Sequence, residues 1–257
     1  MMKTKQIGIL IVGEAHLNDE RKASIEGMPR NRLHILHSEN PSSPNASGIA
    51  IVFNKEITKM QNVTATEIIQ GWAILLETTW HGTEKLSILG VYAPVNPAEN
   101  ARFWSEINQF FQDNPRLSKP DVMVGDMNIT EDPADRFPLD QMRSQLRLID
   151  SWRNCYPTTL QYTWRCLSTG TQSCLDRIYH CYEWAIGKSG INTDHDLVSV
   201  WYSTVSAPNI GHGQWTMPLH IVRDCKLQEE IERCAKRENR TAEENLQILW
   251  AKFSREL

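Results

Sequence analysis

Short apolar runs separated by turn-forming residues dominate most of the chain. Ile7 to Val12 is continuous and rich in β-branched residues, which predicts a buried central strand. Further runs predict strands over residues 48–53, 72–79, 86–92, 121–124, 160–164, 175–179 and 198–203. Two of these, 72–79 and 86–92, predict a hairpin that turns near His81-Gly82.

Two stretches have helical periodicity instead. Residues 97–112 and 140–149 predict helices. The apolar face of the first helix holds Phe103, Ile107, Phe110 and Phe111. The order is therefore mostly strands with a few inserted helices. This order favours an α+β fold of two packed sheets flanked by helices over a strict βαβ alternation.

The pattern changes after Ala207. Residues 224–257 have helical periodicity, with Thr241 as a helix cap and Glu244 as its reciprocal partner. This pattern predicts an amphipathic helix that packs on this domain or on a neighbouring one. The change in pattern therefore predicts one domain over residues 1–206 and a linker with amphipathic helices over residues 207–257.

Length and charge narrow the class of protein. The 257 residues suffice for one domain with a sizeable core, or for one domain and a tail. The formal net charge of −4 excludes a non-specific coat on DNA, which is normally basic. A nuclease remains compatible, because acidic metal ligands lower the net charge while a local basic rim still holds phosphates.

The cysteines and the N-terminal apolar run indicate the compartment. The six cysteines are scattered and form no C-x-x-C pair, which predicts reduced thiols in a reducing compartment. The run from Ile7 to Val12 is too short to span a membrane, and no cleavage-site pattern follows it. We expect an intracellular protein of the nucleus or cytoplasm, neither secreted nor anchored in a membrane.

Polar residues with catalytic chemistry border several of the predicted strands. They are Glu14, Asp126, Asn128, Asp176, Asp194 and His195. A single acidic residue after a strand usually caps a turn. The whole ordered set is harder to explain as caps, because strand ends are where many folds assemble their sites. Composition and periodicity alone thus predict a carboxylate-rich site at strand ends.

The residues around this set resemble the motifs of the endonuclease/exonuclease/phosphatase family, and of its apurinic-endonuclease-like branch in particular. Each matched motif is short, but all of them occur in the expected order. The matches are Gly13-Glu14-Ala15-His16, Gly90-Val91-Tyr92-Ala93-Pro94, Gly125-Asp126-Met127-Asn128, Thr163-Trp164, Leu175-Asp176-Arg177 and Thr193-Asp194-His195-Asp196-Leu197-Val198.

The resemblance implies a DNase I-like fold: a four-layer α/β/β/α sandwich of two packed mixed sheets flanked by helices. The family's fold opens with a strand that carries an Asn, whereas this chain starts a few residues before the strand of the Glu14 motif. We therefore expect the first strand to be missing, which leaves an unpaired strand edge. The Glu14 motif also lacks the usual Gln and Thr, which should weaken the support of Glu14 without removing it.

A narrower resemblance is to the endonuclease domains of non-LTR (LINE-type) retrotransposons. It rests on residues 128–136 and on Gly211-His212-Gly213-Gln214-Trp215, followed by Pro218 and Asp224. It implies a metal-dependent endonuclease, a phosphodiesterase that nicks DNA. It also implies a downstream reverse transcriptase domain in a parent element, although nothing in this chain resembles a polymerase.

Phosphodiester hydrolysis needs a cation that neutralises charge on the phosphate and a water that is deprotonated opposite the leaving oxygen. By the resemblance, Glu14 and Asp194 hold Mg²⁺, with Mn²⁺ as an alternative ion. Asp126 orients or deprotonates the attacking water. Asn128 fixes the phosphate, since its amide donates and accepts without adding negative charge.

The resemblance also assigns four supporting roles. His195 contacts the phosphate as a cation, and Asp176 holds its other ring nitrogen. Tyr92 donates a hydrogen bond to a non-bridging oxygen. Trp164 supports the sugar or the base beside the site.

Two other functions stay open at this point. One is a catalytically inactive, truncated form of such a domain, in which the motifs persist without turnover. The other is a phosphatase that acts on small phosphoesters such as inositol phosphates or sphingomyelin. No motif specifically favours the latter.

Overall fold

The structure is a computed structural model that describes residues 2, 5–28, 30–41, 48–58, 62–80, 84–129, 133–159, 161–180, 184–187 and 193–200. The predicted C-terminal helices, the motif at residues 211–215 and the end of the strand predicted over 198–203 lie outside the described residues. So does the hairpin turn at residues 81 and 82.

The described residues contain helices and strands in a mostly β order. The helices are α1 Asp19–Glu26, α2 Pro97–Asp113, α3 Pro133–Leu146 and α4 Ser151–Cys155. The strands are β1 Ile9–Gly13, β2 Leu33–Ser38, β3 Ile49–Asn54, β4 Thr64–Ile69, β5 Ala73–Thr79, β6 Lys85–Tyr92, β7 Val122–Asp126, β8 Trp164–Arg165, β9 Gln172–Ser173, β10 Asp176–His180, β11 Trp184–Gly187 and β12 Leu197–Val200.

Two sheets carry most of these strands. The larger sheet has the order β10-β7-β6-β5-β4 and is mixed, because β6 and β7 run parallel. The smaller sheet has the order β1-β3-β2 and is antiparallel throughout. The pairs β11-β12 and β8-β9 are separate antiparallel ribbons.

Strand alternation sends the side chains of the larger sheet into two cores. Leu75 and Leu89 face α2 and α3 and pack with Trp104 and Ile107 in the first core. On the opposite face, strands of the larger sheet contribute to a second core, shared with the smaller sheet. Its fully or almost fully buried members include Ile49, Ile51, Phe53, Ile74 and Leu76.

The outer face of the smaller sheet forms a third core. Ala50 and Val52 of β3 pack there with Ile35 of β2 and with Ile25 of α1. The layers therefore run helices, five-stranded sheet, three-stranded sheet, helix. This order confirms the predicted α/β/β/α sandwich. None of the helices in the described part of the chain is long and apolar enough to span a membrane.

Apolar runs and alternation predicted several elements correctly. All six residues of β3 are buried, as its continuous apolar run predicts. The predicted hairpin exists as β5 and β6, paired antiparallel from Ala73↔Val91 to Thr79↔Lys85. Helix α2 extends to Asp113, one residue beyond the predicted end.

The prediction of β1 as a buried central strand is wrong. Within the described residues β1 is an edge strand of the smaller sheet, and all five of its residues are half-buried. It is apolar on both faces because Ile9 and Ile11 pack against the inter-sheet core while Leu10 and Val12 pack against the outer core. The apolar run therefore reflects two cores rather than a central position.

Other boundaries also differ from the prediction. The helix predicted over residues 140–149 is α3, which begins at Pro133 and ends at Leu146; the internal Pro138 obscured its start. Of the strand predicted over 160–164, residue 160 lies outside the described residues, and among the others only Trp164 is in a strand, the ribbon strand β8 Trp164–Arg165. Six of the described elements were not predicted from the sequence: α1, α4, β2, β4, β9 and β11.

Candidate functional site

Three neighbouring strands of the larger sheet end in one row of polar residues. In the ladder register, Tyr92 at the end of β6 lies beside Asp126 at the end of β7, and Asp126 lies opposite Asp176 at the start of β10. Strand alternation directs all three side chains toward the smaller sheet, on the same face as Val124 and Ile178. The row therefore lies at the edge of the inter-sheet core.

A glycine makes the approach of β7 to β6 possible. Gly125 has φ +149°, and a Cβ atom there would lie 1.8 Å from the carbonyl oxygen of Val91. Only glycine fits, because any side chain would collide with backbone. Asp126 follows Gly125, and its carbonyl accepts a hydrogen bond of 2.8 Å from the N–H of Ala93, which joins the ends of β6 and β7.

Asn128 adopts a left-handed backbone with φ +45° and folds back over the strand end. Its backbone N–H donates to Asp126 Oδ1 over 2.9 Å, and its Nδ2 donates to the carbonyl of Ala93 over 2.8 Å. Nδ2 also lies 3.2 Å from Asp126 Oδ2. The turn thus fixes the orientation of the Asp126 carboxylate.

Glu14 reaches the same row from the smaller sheet. It follows β1 with φ +48°, and its Oε1 accepts a hydrogen bond of 2.7 Å from the Tyr92 hydroxyl. Gly13 lets the strand approach, since a Cβ at Gly13 would lie 2.9 Å from the Tyr92 ring. The other face of Tyr92 stacks on Trp72 with centroids 5.3 Å apart. Burial and the Glu14 hydrogen bond raise the pKa of Tyr92.

His195 completes the row next to Asp176. Its Nδ1 lies 2.7 Å from Asp176 Oδ2. Thr163, which is fully buried, holds both partners in place: its Oγ1 accepts the N–H groups of Leu175 and Asp176, each over 3.0 Å, and its carbonyl accepts the N–H of Asp196. Thr163 was predicted only as part of a matched motif, without a role of its own, because its burial and its partners become visible only in the fold.

Trp164 and Asp194 form a second pair beside His195. Trp164 Nε1 donates to Asp194 Oδ2 over 2.8 Å, and the backbone of Trp164 forms a bridge with that of His195. The N–H of Arg165 donates to the carbonyl of Asp194 over 3.0 Å. The β8 ribbon therefore holds the loop that carries Asp194 and His195.

The charges in the row perturb one another. Burial raises the pKa of Asp126 to about 6, and the nearby Asp176 carboxylate adds to the rise. Asn128, His195 and Glu14 make smaller contributions: the first two lower this pKa and Glu14 raises it. At neutral pH Asp126 is thus mainly ionised, with a higher affinity for a proton than an exposed aspartate has.

The pKa of His195 is raised, whereas burial alone lowers the pKa of an imidazole. Burial lowers its pKa, but the hydrogen bond and the charge of Asp176 outweigh burial and raise the pKa to about 9. Asp126 and Asp194 add smaller attractions. The ring is therefore cationic at neutral pH.

The donor atoms of the row suit a hard divalent cation. Ligand atoms of Asp126, Asp176 and His195 lie within 4.8 Å of one another, and Glu14 is close enough to raise the pKa of Asp126. Carboxylate oxygens are the ligands that Mg²⁺ prefers. His195 fits poorly as a ligand, because a cationic ring has no lone pair to donate. The carboxylates therefore fit Mg²⁺, and His195 fits an anion.

The structure thus brings most of the predicted site residues together. Glu14, Tyr92, Asp126, Asn128, Asp176 and His195 join through the contacts given above. Trp164 and Asp194 pair with each other, and Asp194 lies outside the group within 4.8 Å. Among the described residues, no donor reaches Glu14 Oε2 or Asp194 Oδ1. The metal ligands and the catalytic roles remain predictions.

Solved structures share this fold. AP endonuclease LMAP from Leishmania major has a TM-score of 0.62 and 10% identity, covering 76% of this chain and 78% of that chain. TDP2 from D. rerio, complexed with a single strand DNA product, has a TM-score of 0.50 and 10% identity, covering 76% and 83%. At such identities the likeness is one of fold alone.

Comparison of sequences identifies a relative and a family. The "Transposon TX1 uncharacterized 149 kDa protein" of Xenopus laevis is 27% identical over 180 residues, 65% of this chain. The match spans only 13% of that protein's length. The family model described as Endonuclease/Exonuclease/phosphatase matches residues 2–206, most of the chain. The chain therefore belongs to the Endonuclease/Exonuclease/phosphatase family.

Proposed function

We propose that this chain is a Mg²⁺-dependent phosphodiesterase that nicks DNA, as an endonuclease of the retrotransposon type. The observation that carries the proposal is the row of Tyr92, Asp126 and Asp176, closed by His195 on one side and Glu14 on the other. It combines a carboxylate base, a cationic donor and free carboxylate oxygens at one strand end. Those are the groups that phosphodiester hydrolysis requires.

Asp126 acts on the attacking water in this proposal. Its carboxylate is oriented by Asn128, and its pKa of about 6 gives it useful basicity while it remains ionised at neutral pH. Asn128 binds the phosphate through its side-chain amide. One Nδ2 hydrogen keeps its bond to the Ala93 carbonyl, and the other turns from its longer contact with Asp126 Oδ2 to a phosphate oxygen, while the Asn128 N–H still holds Asp126 Oδ1.

His195 donates to the phosphate from Nε2. Its Nδ1 is bound to Asp176, which keeps the ring charged and fixes its direction. The Tyr92 hydroxyl hydrogen-bonds to Glu14 in this structure. When it donates to a non-bridging phosphate oxygen instead, Glu14 Oε1 becomes available to a metal ion.

Glu14 and Asp194 hold the metal ion in this proposal, with Mn²⁺ as a substitute for Mg²⁺. Bound Mg²⁺ neutralises the charge that develops on the phosphate. Both residues keep a carboxylate oxygen without a donor among the described residues. Trp164, which fixes Asp194, supports the sugar or base next to the scissile bond.

Similarity supports DNA as the substrate. One protein of the same fold is complexed with a single strand DNA product, and one relative by sequence is a transposon protein. A parent element would supply a reverse transcriptase domain downstream of this one. The family match to residues 2–206 supports a nuclease domain over residues 1–206 and a separate segment over 207–257.

A plasmid-nicking assay tests the proposal. Supercoiled DNA should be nicked with Mg²⁺ and not with EDTA, and Asp126→Ala and His195→Ala should each reduce the rate by about 10²-fold or more. Matched controls are Asp113→Ala and His34→Ala, which alter the same residue types away from the row and should retain the wild-type rate.

Two outcomes would contradict the proposal. Absence of nicking with either Mg²⁺ or Mn²⁺, together with no thermal stabilisation by either ion, would indicate a non-catalytic domain. Release of phosphate from a small phosphoester without any nicking of DNA would indicate a phosphatase. Both substrates should therefore be assayed with the same preparation.

A further inference from the structure

A polar residue interrupts the apolar face of α2. Asn100 precedes Phe103, Trp104 and Ile107 at helical spacing, and its side chain is only 3% exposed. Burying an amide is unfavourable unless its hydrogen-bonding groups find partners. We therefore expect the Asn100 side chain to make hydrogen bonds that an apolar residue could not make.

Asn100 uses both ends of its amide. Nδ2 donates to the carbonyls of Pro94 and Met127 over 2.8 and 2.9 Å, and it lies 3.3 Å from the carbonyl of Asn128. Oδ1 accepts a hydrogen bond of 2.6 Å from Trp104 Nε1. With two amide hydrogens and one oxygen engaged, the side chain is held in one orientation.

The carbonyls that Asn100 binds belong to the two loops that form the row. Pro94 follows the end of β6, just beyond Tyr92 and Ala93, while Met127 and Asn128 form the left-handed turn after β7. The buried side chain of Asn100, on α2, thus connects the loop after β6 with the turn after β7. The turn it holds is the one whose N–H and amide orient Asp126.

We infer that Asn100 is a positioning residue for phosphodiester hydrolysis, acting through the Asn128 turn on the Asp126 carboxylate. The inference rests on the proposed function, because it assigns Asn100 to the same site. Asn100 bonds to the backbone carbonyls of the turn and to no side chain of the row. Its effect therefore passes through the backbone of the turn.

Asn100→Asp tests the inference most directly. The variant keeps the size of the side chain and an acceptor for Trp104, but it replaces the donor to the carbonyls with an acceptor. The turn should loosen, because carbonyl oxygens and a carboxylate oxygen repel. We expect kcat for plasmid nicking to fall about 10-fold to 100-fold with KM for DNA within about 2-fold, the pattern of a misplaced catalytic group.

Hydrogen exchange in the metal-free protein supplies a second measurement. The Asn128 N–H, which donates to Asp126 Oδ1, should exchange at least about 10-fold faster in Asn100→Asp, while amides in the middle of α2 keep their protection. Asn100→Ser, which retains one short donor, should give a smaller change of the same sign. It also provides a test if the aspartate variant does not fold.

Two control variants separate positioning from general destabilisation. Ile107→Val removes a methylene from a fully buried residue of the same helix. Asn114→Asp changes the same residue type at the far end of α2, where Nδ2 donates to the carbonyl of Phe110 over 2.9 Å. Both should leave kcat and the exchange of the Asn128 N–H unchanged.

The outcomes distinguish this inference from the proposed function. If wild-type protein does not nick DNA, the proposed function fails, and the exchange of the Asn128 N–H alone decides whether Asn100 holds the turn. If Asn100→Asp and Asn100→Ser leave that exchange at the wild-type rate, or if Ile107→Val lowers kcat as much as Asn100→Asp does, Asn100 is a structural residue of the core and the inference is overturned.

Discussion

Asp126 and Asp176 lie directly opposite each other in the antiparallel ladder of β7 and β10. Two carboxylates at one ladder position repel, and in this site the cation that offsets them is the ring of His195, 2.7 Å from Asp176. The repulsion appears as a raised pKa of Asp126, and the attraction appears as a raised pKa of His195.

The first prediction concerns Asp176→Asn. This variant removes the hydrogen-bonded charge that overcomes burial, so the pKa of His195 should fall from about 9 to near or below its ordinary value. NMR titration of the His195 ring, with EDTA present to remove metal ions, measures this pKa. Asp194→Asn is the matched control and should lower this pKa less, because Asp194 makes a smaller contribution. A His195 that still titrates near pH 9 in Asp176→Asn contradicts the assigned cause.

The second prediction concerns stability and pH. His195 has a higher pKa in the folded state than the ordinary value of 6.5, so its protonated ring stabilises the fold fully below pH 6.5, and this contribution is lost as pH rises through about 9. In EDTA, the free energy of unfolding of the wild type should therefore fall between pH 6.5 and 9.5, relative to His195→Gln.

Urea denaturation across this range gives the difference between the two proteins, in which other titrating groups cancel. A constant difference between wild type and His195→Gln from pH 6.5 to pH 9.5 would show that the ring is not stabilised as a cation.

The third prediction concerns Gly125→Ala. A Cβ at this position would lie 1.8 Å from a backbone oxygen, so β7 must move away from β6. We expect a loss of at least about 3 kcal/mol in the free energy of unfolding, measured in urea.

Gly170→Ala is a control for this variant, because Gly170 also has a positive φ, of 73°, but has no atom within 4 Å of the added Cβ. It should lose only about 1–2 kcal/mol, the cost of the left-handed backbone alone. Equal losses at the two positions would mean that the contact with Val91 is relieved without cost.

The fourth prediction concerns Mg²⁺. An ion that binds only the folded protein stabilises it by about 2.7 kcal/mol at 100 times its Kd. Wild-type protein should therefore melt at a higher temperature with Mg²⁺ than with EDTA, and Glu14→Gln should lose most of this increase. Glu20→Gln, at an exposed position of α1, should retain it. Full retention in Glu14→Gln would remove Glu14 from the ligand set.

The sequence predicted the parts of the fold in which one local pattern has one cause. Residues 49–53 of β3 are apolar because both faces of the strand are buried. Residues 73–76 of β5 are likewise a continuous apolar run, because successive side chains enter different cores. In contrast, α1 has no buried residue and no apolar stripe to reveal it. β2 carries histidines within its apolar run, so its sequence shows neither the alternation of a strand nor the spacing of a helix.

The candidate site shows the same division. Acidic residues after apolar runs were visible in the sequence, and the structure places Asp126, Asp176 and His195 together. The pairing of Asp126 with Asp176 depends on ladder register between distant segments, which no local pattern encodes. The supporting residues Thr163 and Asn100 were missed because a buried polar side chain looks like a surface one until its partners are known.

The hydrogen bond from Tyr92 to Glu14 joins the last residue of β6 in the larger sheet to the residue that directly follows β1 of the smaller sheet. Side chains between the sheets, such as Ile51 and Leu76, therefore set the spacing of this bond although they lie within the hydrophobic core. A substitution there that lets one sheet slide by about an ångström would stretch the bond while every strand keeps its own ladder. Activity in this architecture should consequently be more sensitive to core volume than the melting temperature is.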